Sequence, residues 1–220
     1  MEFGVGGATP VRLDGGRGLT WRAGPVVLRP SGDNGETVWK ADLLARLWHT
    51  SAFRTPRPVR SVSGGLVVDG WEAWQWLPGS TDETRVADIL RAGAAFHDAI
   101  SNCERPGFID LADDPWAQAD RMAWEEKPLP SVQTLDRLAA EFRPVASPAQ
   151  VIHGDLLGNV LFADGEPATI IDWAPYWRPA GLVAARSPSS TRCAGTACGP
   201  KRSPGSEQGP PGGGSCSSAP

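Results

Sequence analysis

The chain has 220 residues, with 21 Lys or Arg against 25 Asp or Glu, for a formal net charge of -4. A mildly acidic chain lacks the clustered cations that displace phosphate counterions, so no nucleic-acid partner is expected. No apolar run approaches the roughly 20 residues that span a bilayer, and the Met1-Glu2-Phe3 start has neither the basic stretch nor the apolar core of a leader. The expectation is therefore a cytoplasmic protein with no membrane contact.

The ten Trp residues all fall between Trp21 and Trp177, an aromatic content that marks this stretch as globular. Residues 186–220 differ: they hold no Val, Ile, Leu, Met, Phe, Trp or Tyr, and Gly, Pro and Ser fill 21 of 35 positions. Such a segment buries too little apolar surface to offset its ordering entropy and is expected to be disordered. It carries net +3, so the preceding 185 residues carry -7. A natural flexible tail and a GC-rich stretch translated in the wrong frame both fit, and the abrupt shift at residues 182–186 favours the second. Cys193, Cys198 and Cys216 lie in this tail and, with Cys103, read as incidental thiols rather than metal ligands.

In chain order, Val11–Leu13, Leu19–Arg22 and Val26–Arg29 read as strands separated by Gly turns, the last stopped by Pro30. A helix follows over Glu36–His49, with Val38, Leu43, Leu44 and Leu47 on one face. Leu66–Val68 and Trp71–Trp76 form a hairpin around Asp69-Gly70. This makes about five antiparallel strands with one inserted helix, ended by Leu77-Pro78-Gly79. The pattern then turns helical. Thr81-Asp82-Glu83 offers a cap for a helix reaching Ser101, and Pro115–Glu125 and Val132–Phe142 follow. Val151-Ile152, Val160–Phe162 and Thr169–Ile171 are short strands around a loop. The layout is α+β in two lobes.

The loop carries the chemistry. His153-Gly154-Asp155, then Asn159, then an apolar strand ending in Asp172 supplies what phosphoryl transfer needs: a carboxylate near the attacking hydroxyl and hard oxygen ligands for Mg²⁺ on the phosphates. Asp155 would take or orient the hydroxyl proton, and Asn159 and Asp172 would hold Mg²⁺. His153 is read as packing and bonding the loop rather than reacting.

Val151–Phe162 together with Ile170-Ile171-Asp172-Trp173 resembles the catalytic loop and metal motif of the aminoglycoside phosphotransferase family, which has a protein-kinase-like fold. Trp71–Gly79 resembles that family's hinge and Ala94-Ala95-Phe96-His97 its first C-lobe helix. The stretch Asp172–Pro179 resembles an actinobacterial branch. The match spans about residues 10 to 185. It implies an antiparallel β N-lobe (1–79), a mainly helical C-lobe (80–185) and an ATP- and Mg²⁺-dependent transfer to a hydroxyl of a small-molecule acceptor.

The resemblance also assigns residues and exposes departures. Asp155 to Asn159 spans four positions where the family's loop spans five. Arg29 stands where the family's phosphate-gripping Lys would be. Its carboxylate partner is Glu36 or Asp42, with Glu36 preferred. Gly15, Gly16 and Gly18 could cover the ATP phosphates with backbone N–H groups or form a plain hairpin turn. The Trp pairs read as core and hinge packing, and Asp110, Asp113 and Asp114 as a solvated loop rather than an acceptor pocket. In the family further helices follow the metal Asp and complete an acceptor wall. Here the tail stands in their place, so the C-lobe is expected to be incomplete, truncated or frameshifted, and the chain poorly soluble and weak or inactive. A nucleotide-binding pseudokinase module and a non-functional fragment are the competing readings.

Overall fold

A computed structural model of the chain describes residues 2–14, 18–143 and 145–183, the side chains of Asn34, Leu182 and Val183 excepted. Gly15, Gly16 and the 186–220 segment with its three cysteines lie outside the described residues.

The first part is the expected antiparallel sheet. β1 (Val11–Arg12), β2 (Trp21–Ala23), β3 (Val26–Pro30), β5 (Val67–Val68) and β6 (Trp71–Gln75) lie in the order β1-β2-β3-β6-β5. The β5–β6 hairpin turns on Asp69 and Gly70 at φ 50° and 76°, the pair of left-handed residues that matches the twist of adjoining strands. Between β3 and β5 come α1 (Asn34–Arg46) and β4 (Phe53–Arg54). Asp33 caps α1 by accepting from the Glu36 N–H at 3.0 Å, so the helix starts before the expected Glu36. Its buried stripe is Thr37, Lys40, Ala41, Leu44 and Leu47, while Val38 is exposed. Of the expected face, Leu44 and Leu47 are buried and Leu43 packs against the core, whereas Val38 gives way to the polar Thr37 and Lys40 at inward positions.

The expected cap at Thr81-Asp82-Glu83 is not where the next helix starts. Thr81 belongs to β7 (Ser80–Thr81), which pairs with β9 (Val160–Phe162). α2 (Val86–Ala99) starts after Arg85, which makes no side-chain cap; Asp82 instead accepts from the Thr84 N–H at 3.0 Å. α3 (Phe108–Leu111), α4 (Pro115–Ala123) and α5 (Gln133–Ala139) follow, then β8 (Ala149–His153), β10 (Ala168–Ile170) and β11 (Pro175–Pro179). β4, β10, β9 and β7 form a second sheet in which β10 runs parallel to β4, and β8 pairs with β11.

One core joins α1, α2 and the strands beneath the loop. Phe53, Phe96, Ile100, Val151, Val160 and Ile170 are almost fully buried in it, and Phe96 meets Phe53 and Trp173 edge-on at 5.7 and 5.2 Å. Packing α2 under β8 and β10 fixes the base of the loop that carries Asp155. Among the described residues no helix is long and apolar enough to cross a membrane.

Candidate active site

The loop of residues 153–159 leaves β8 and is stitched to the strand that follows it. His153 is fully buried. Its Nδ1 accepts from the Asp155 N–H at 3.2 Å, its Nε2 lies 3.1 Å from the Ile171 carbonyl, and its own N–H donates to His97 Nε2 at 3.0 Å. With Nδ1 accepting, Nε2 carries the proton and the ring is neutral. Burial above all pushes the His153 pKa down to about 4, against the opposing bond to the Ile171 carbonyl; burial does the same for His97. His153 thus positions the loop, as its residue type in that place suggested.

Gly154 donates to the Ala174 carbonyl at 3.0 Å, Trp173 Nε1 to the Ile152 carbonyl at 3.1 Å, and Ile171 to the Asn159 carbonyl at 3.0 Å. The shortened loop closes through an Asn159 N–H to Leu156 carbonyl bond of 3.0 Å with Gly158 at φ 82°. These bonds bring Asp155, Asn159 and Asp172 to one place. Asn159 Nδ2 donates to the Asp155 carbonyl at 2.8 Å and lies 3.3 Å from Asp155 Oδ2. Asp172 sits at φ 47° with a carboxylate about half exposed. A non-glycine residue held left-handed beside a cleft is backbone strain of the kind functional sites keep. Burial raises the Asp155 pKa above the usual carboxylate range and the Asp172 charge raises it further, with Asn159 acting in the opposite sense.

Two cavities meet here. One, of about 250 Å³, is lined by Val27, Trp74, Leu77, Leu161 and Ile170 and by the polar Arg29, Lys40, Asn159 and Asp172. The other, of about 1040 Å³, is lined by Asp155, Phe108, Trp116, Tyr176, Trp177 and Arg178. Asn159 and Asp172 line both, whereas Asp155 faces only the larger.

Arg29 lies at the first cavity, but its partner is not Glu36. It bonds Glu72 through Nε and Asp172 through Nη1. Register explains this: Arg29 stands opposite Glu72 on the antiparallel β3–β6 pair, so their side chains share a face. Burial opposes the Arg29 charge, and the two carboxylates outweigh it and raise its pKa. Glu36 instead pairs with Lys40 at 2.7 Å, one turn along α1, and lines the larger cavity. Asp42 reaches Arg60. Gly18 has φ 68°, while the Gly15 and Gly16 assignments fall outside the described residues. Asp110 pairs with Arg105, Asp113 accepts from Gln118, and Asp114 caps α4 by accepting from the Trp116 N–H at 2.9 Å. Glu72, His97 and the Asp120–Arg178 pair were missed from sequence. A lone Glu among Trp and Ala in a central strand was the available signal for the first.

The family model described as the phosphotransferase enzyme family matches residues 22–176, more than half of the chain, a span that includes Arg29, Lys40, Asp155, Asn159 and Asp172. The chain belongs to the phosphotransferase enzyme family. Among solved structures, it is similar to an aminoglycoside phosphotransferase from Alicyclobacillus acidocaldarius, with 16% identity, TM-score 0.53, and coverage of 86% of this chain and 69% of that one. It is likewise similar to a spectinomycin phosphotransferase in an AMP-bound complex, with 12% identity, TM-score 0.53, and coverage of 82% and 69%. At that identity the likeness shows the fold, which is kinase-like. No curated protein sequence matches. The chain is thus a member of a phosphotransferase family with a kinase-like fold, as the resemblance of its loop motif implied.

Proposed function

We propose that the chain transfers the γ-phosphoryl group of ATP to a hydroxyl of a small molecule, with nucleotide in the narrower cavity and acceptor in the larger. The observation that carries this is the shared wall: Asn159 and Asp172 border both spaces, and Asp155 borders only the acceptor side. On this reading the cleft lies between residues 1–79 and 80–185.

The donor set fits magnesium. Among the described residues no group of three or more His, Cys, Asp or Glu is gathered as an all-protein metal cage. One exposed carboxylate and one amide oxygen suit an ion that keeps its waters and completes its shell with phosphate oxygens. Asp172 and Asn159 would hold it, and when bound it supplies charge neutralisation on the phosphates. The protein's own part is positional. Asp155 orients the acceptor hydroxyl and takes its proton at a carboxylate oxygen. The hydroxyl oxygen bonds to the γ-phosphorus as the bond to the bridging oxygen of ADP breaks. Arg29 and Lys40 line the cavity proposed for the nucleotide.

The aromatic walls Phe108, Trp116, Tyr176 and Trp177 favour an acceptor with an apolar or ring face. Isothermal titration with Mg·ATP tests the first half of the reading. One-site binding that loses its magnesium dependence in Asp172→Ala is expected, and absence of nucleotide binding by the unmodified chain contradicts it.

A further inference from the structure

Resting on the nucleotide-site reading above, we infer that Lys40, on helix α1, is the residue that grips the nucleotide phosphates, exchanging its bond to Glu36 for a phosphate oxygen, while Arg29 serves as a strut for Asp172. Among the described residues, Arg29 and Lys40 are the cations that line the narrower cavity. Their surroundings differ. The Arg29 guanidinium is bonded to two carboxylates, Glu72 and Asp172. Its planar fork is directed by protein partners, and its charge is balanced before any ligand arrives.

Lys40 is tied more loosely. Its ammonium has three donors. One meets Glu36 at 2.7 Å, and another reaches the Trp173 carbonyl at 3.4 Å, a long contact. The side chain is 10% exposed, with its partner Glu36 at 31%. A buried ammonium with a better hydrated counter-ion can trade that carboxylate for a phosphate without leaving either charge stranded, because Glu36 has solvent to turn to. Trp173 follows Asp172 directly, so Lys40 sits beside the backbone that carries the metal carboxylate. The pair also straddles the two cavities, since Lys40 lines the narrower one and Glu36 the larger. Phosphate binding by Lys40 therefore releases the Glu36 carboxylate on the acceptor side.

Isothermal titration of the unmodified chain, Lys40→Met and Glu36→Gln with adenosine and with Mg·ATP tests this. Lys40→Met is expected to bind Mg·ATP about 10- to 100-fold more weakly, the loss of one charge-assisted bond, with adenosine affinity unchanged. Glu36→Gln, which frees Lys40, is expected to bind Mg·ATP more tightly than the unmodified chain. Equal Mg·ATP affinity in Lys40→Met overturns the inference. If Lys40→Met loses adenosine as well through misfolding, Glu36→Gln decides: tightening supports the inference and unchanged affinity overturns it. Failure of the unmodified chain to bind either ligand would count against the nucleotide-site reading itself.

Discussion

Asn159 donates its side-chain N–H to the Asp155 carbonyl at 2.8 Å and stands 3.3 Å from the Asp155 carboxylate. This contact keeps the two residues together. The Asn159 amide oxygen is the ligand proposed for a hard cation. Asn159→Ala removes that oxygen and the bond to Asp155. The magnesium concentration for half-maximal activity should rise about tenfold or more, by the loss of one charge-assisted contact. A magnesium titration of turnover checks it.

Asp155 must be ionised to accept a proton, and burial followed by the Asp172 charge raises its pKa. A base with a raised pKa works above that value and loses activity as pH falls through it. The acid limb of kcat/KM should therefore lie above the ordinary carboxylate range. In Asn159→Ala, which removes the one contact that lowers this pKa, the limb should move further up. A pH–rate series on both proteins reads the shift.

His97 and His153 are neutral in the fold, their pKa values lowered by burial from an ordinary 6.5 to about 4. Between those values the unfolded chain binds more protons than the folded one. Their contribution is whole above pH 6.5 and is lost as pH falls toward 4, with a limit on the order of 3 kcal/mol for each ring. Urea unfolding at pH 7.5, 6 and 5 should give falling midpoints. His97→Gln should flatten that fall.

Gly154 leaves no room for a methyl group, because an added Cβ would run into the Tyr176 ring. Gly154 also donates to the Ala174 carbonyl, so the loop cannot move aside without losing that bond. Gly154→Ala should cost about 1–3 kcal/mol of stability and lower turnover more than it weakens nucleotide binding. Thermal melts and a kcat measurement separate the two effects.

Arg178 holds the buried Asp120 at 2.9 and 2.6 Å through two nitrogens and also reaches Glu126. This ties α4 to β11. Asp120→Ala leaves a nearly buried guanidinium short of its inner partner, at about 3–5 kcal/mol. For a chain of this size that is roughly a 10 °C drop in Tm, which calorimetry will show.

Much of this was legible in the sequence where chemistry is local. The five-strand sheet followed from short apolar runs and the Asp69-Gly70 turn. The loop from His153 to Asp172 followed from residues within 20 positions of each other. The partner of Arg29 was not legible, because it depends on strand register: Glu72 is 43 positions away and meets Arg29 only when β3 and β6 align. On α1, Leu43, Leu44 and Leu47 face the core as expected, and Val38 does not. Thr37 and Lys40 are buried, and polar residues at inward positions do not register in an apolar pattern, though the helix itself does. The two-residue strands β4 and β7 carry too little pattern to see and exist because β10 and β9 pair with them.

The central claim is that Asp155 and Asp172 serve one reaction across the shared wall of two cavities. The most direct measurement is the rate of γ-phosphate release from saturating Mg·ATP, with water as acceptor, in the unmodified chain and in Asp155→Ala. Loss of about 100-fold or more in the variant, with Mg·ATP affinity unchanged, is the expected result, since a positioned general base contributes on that order. Equal release rates from the two proteins would contradict the account.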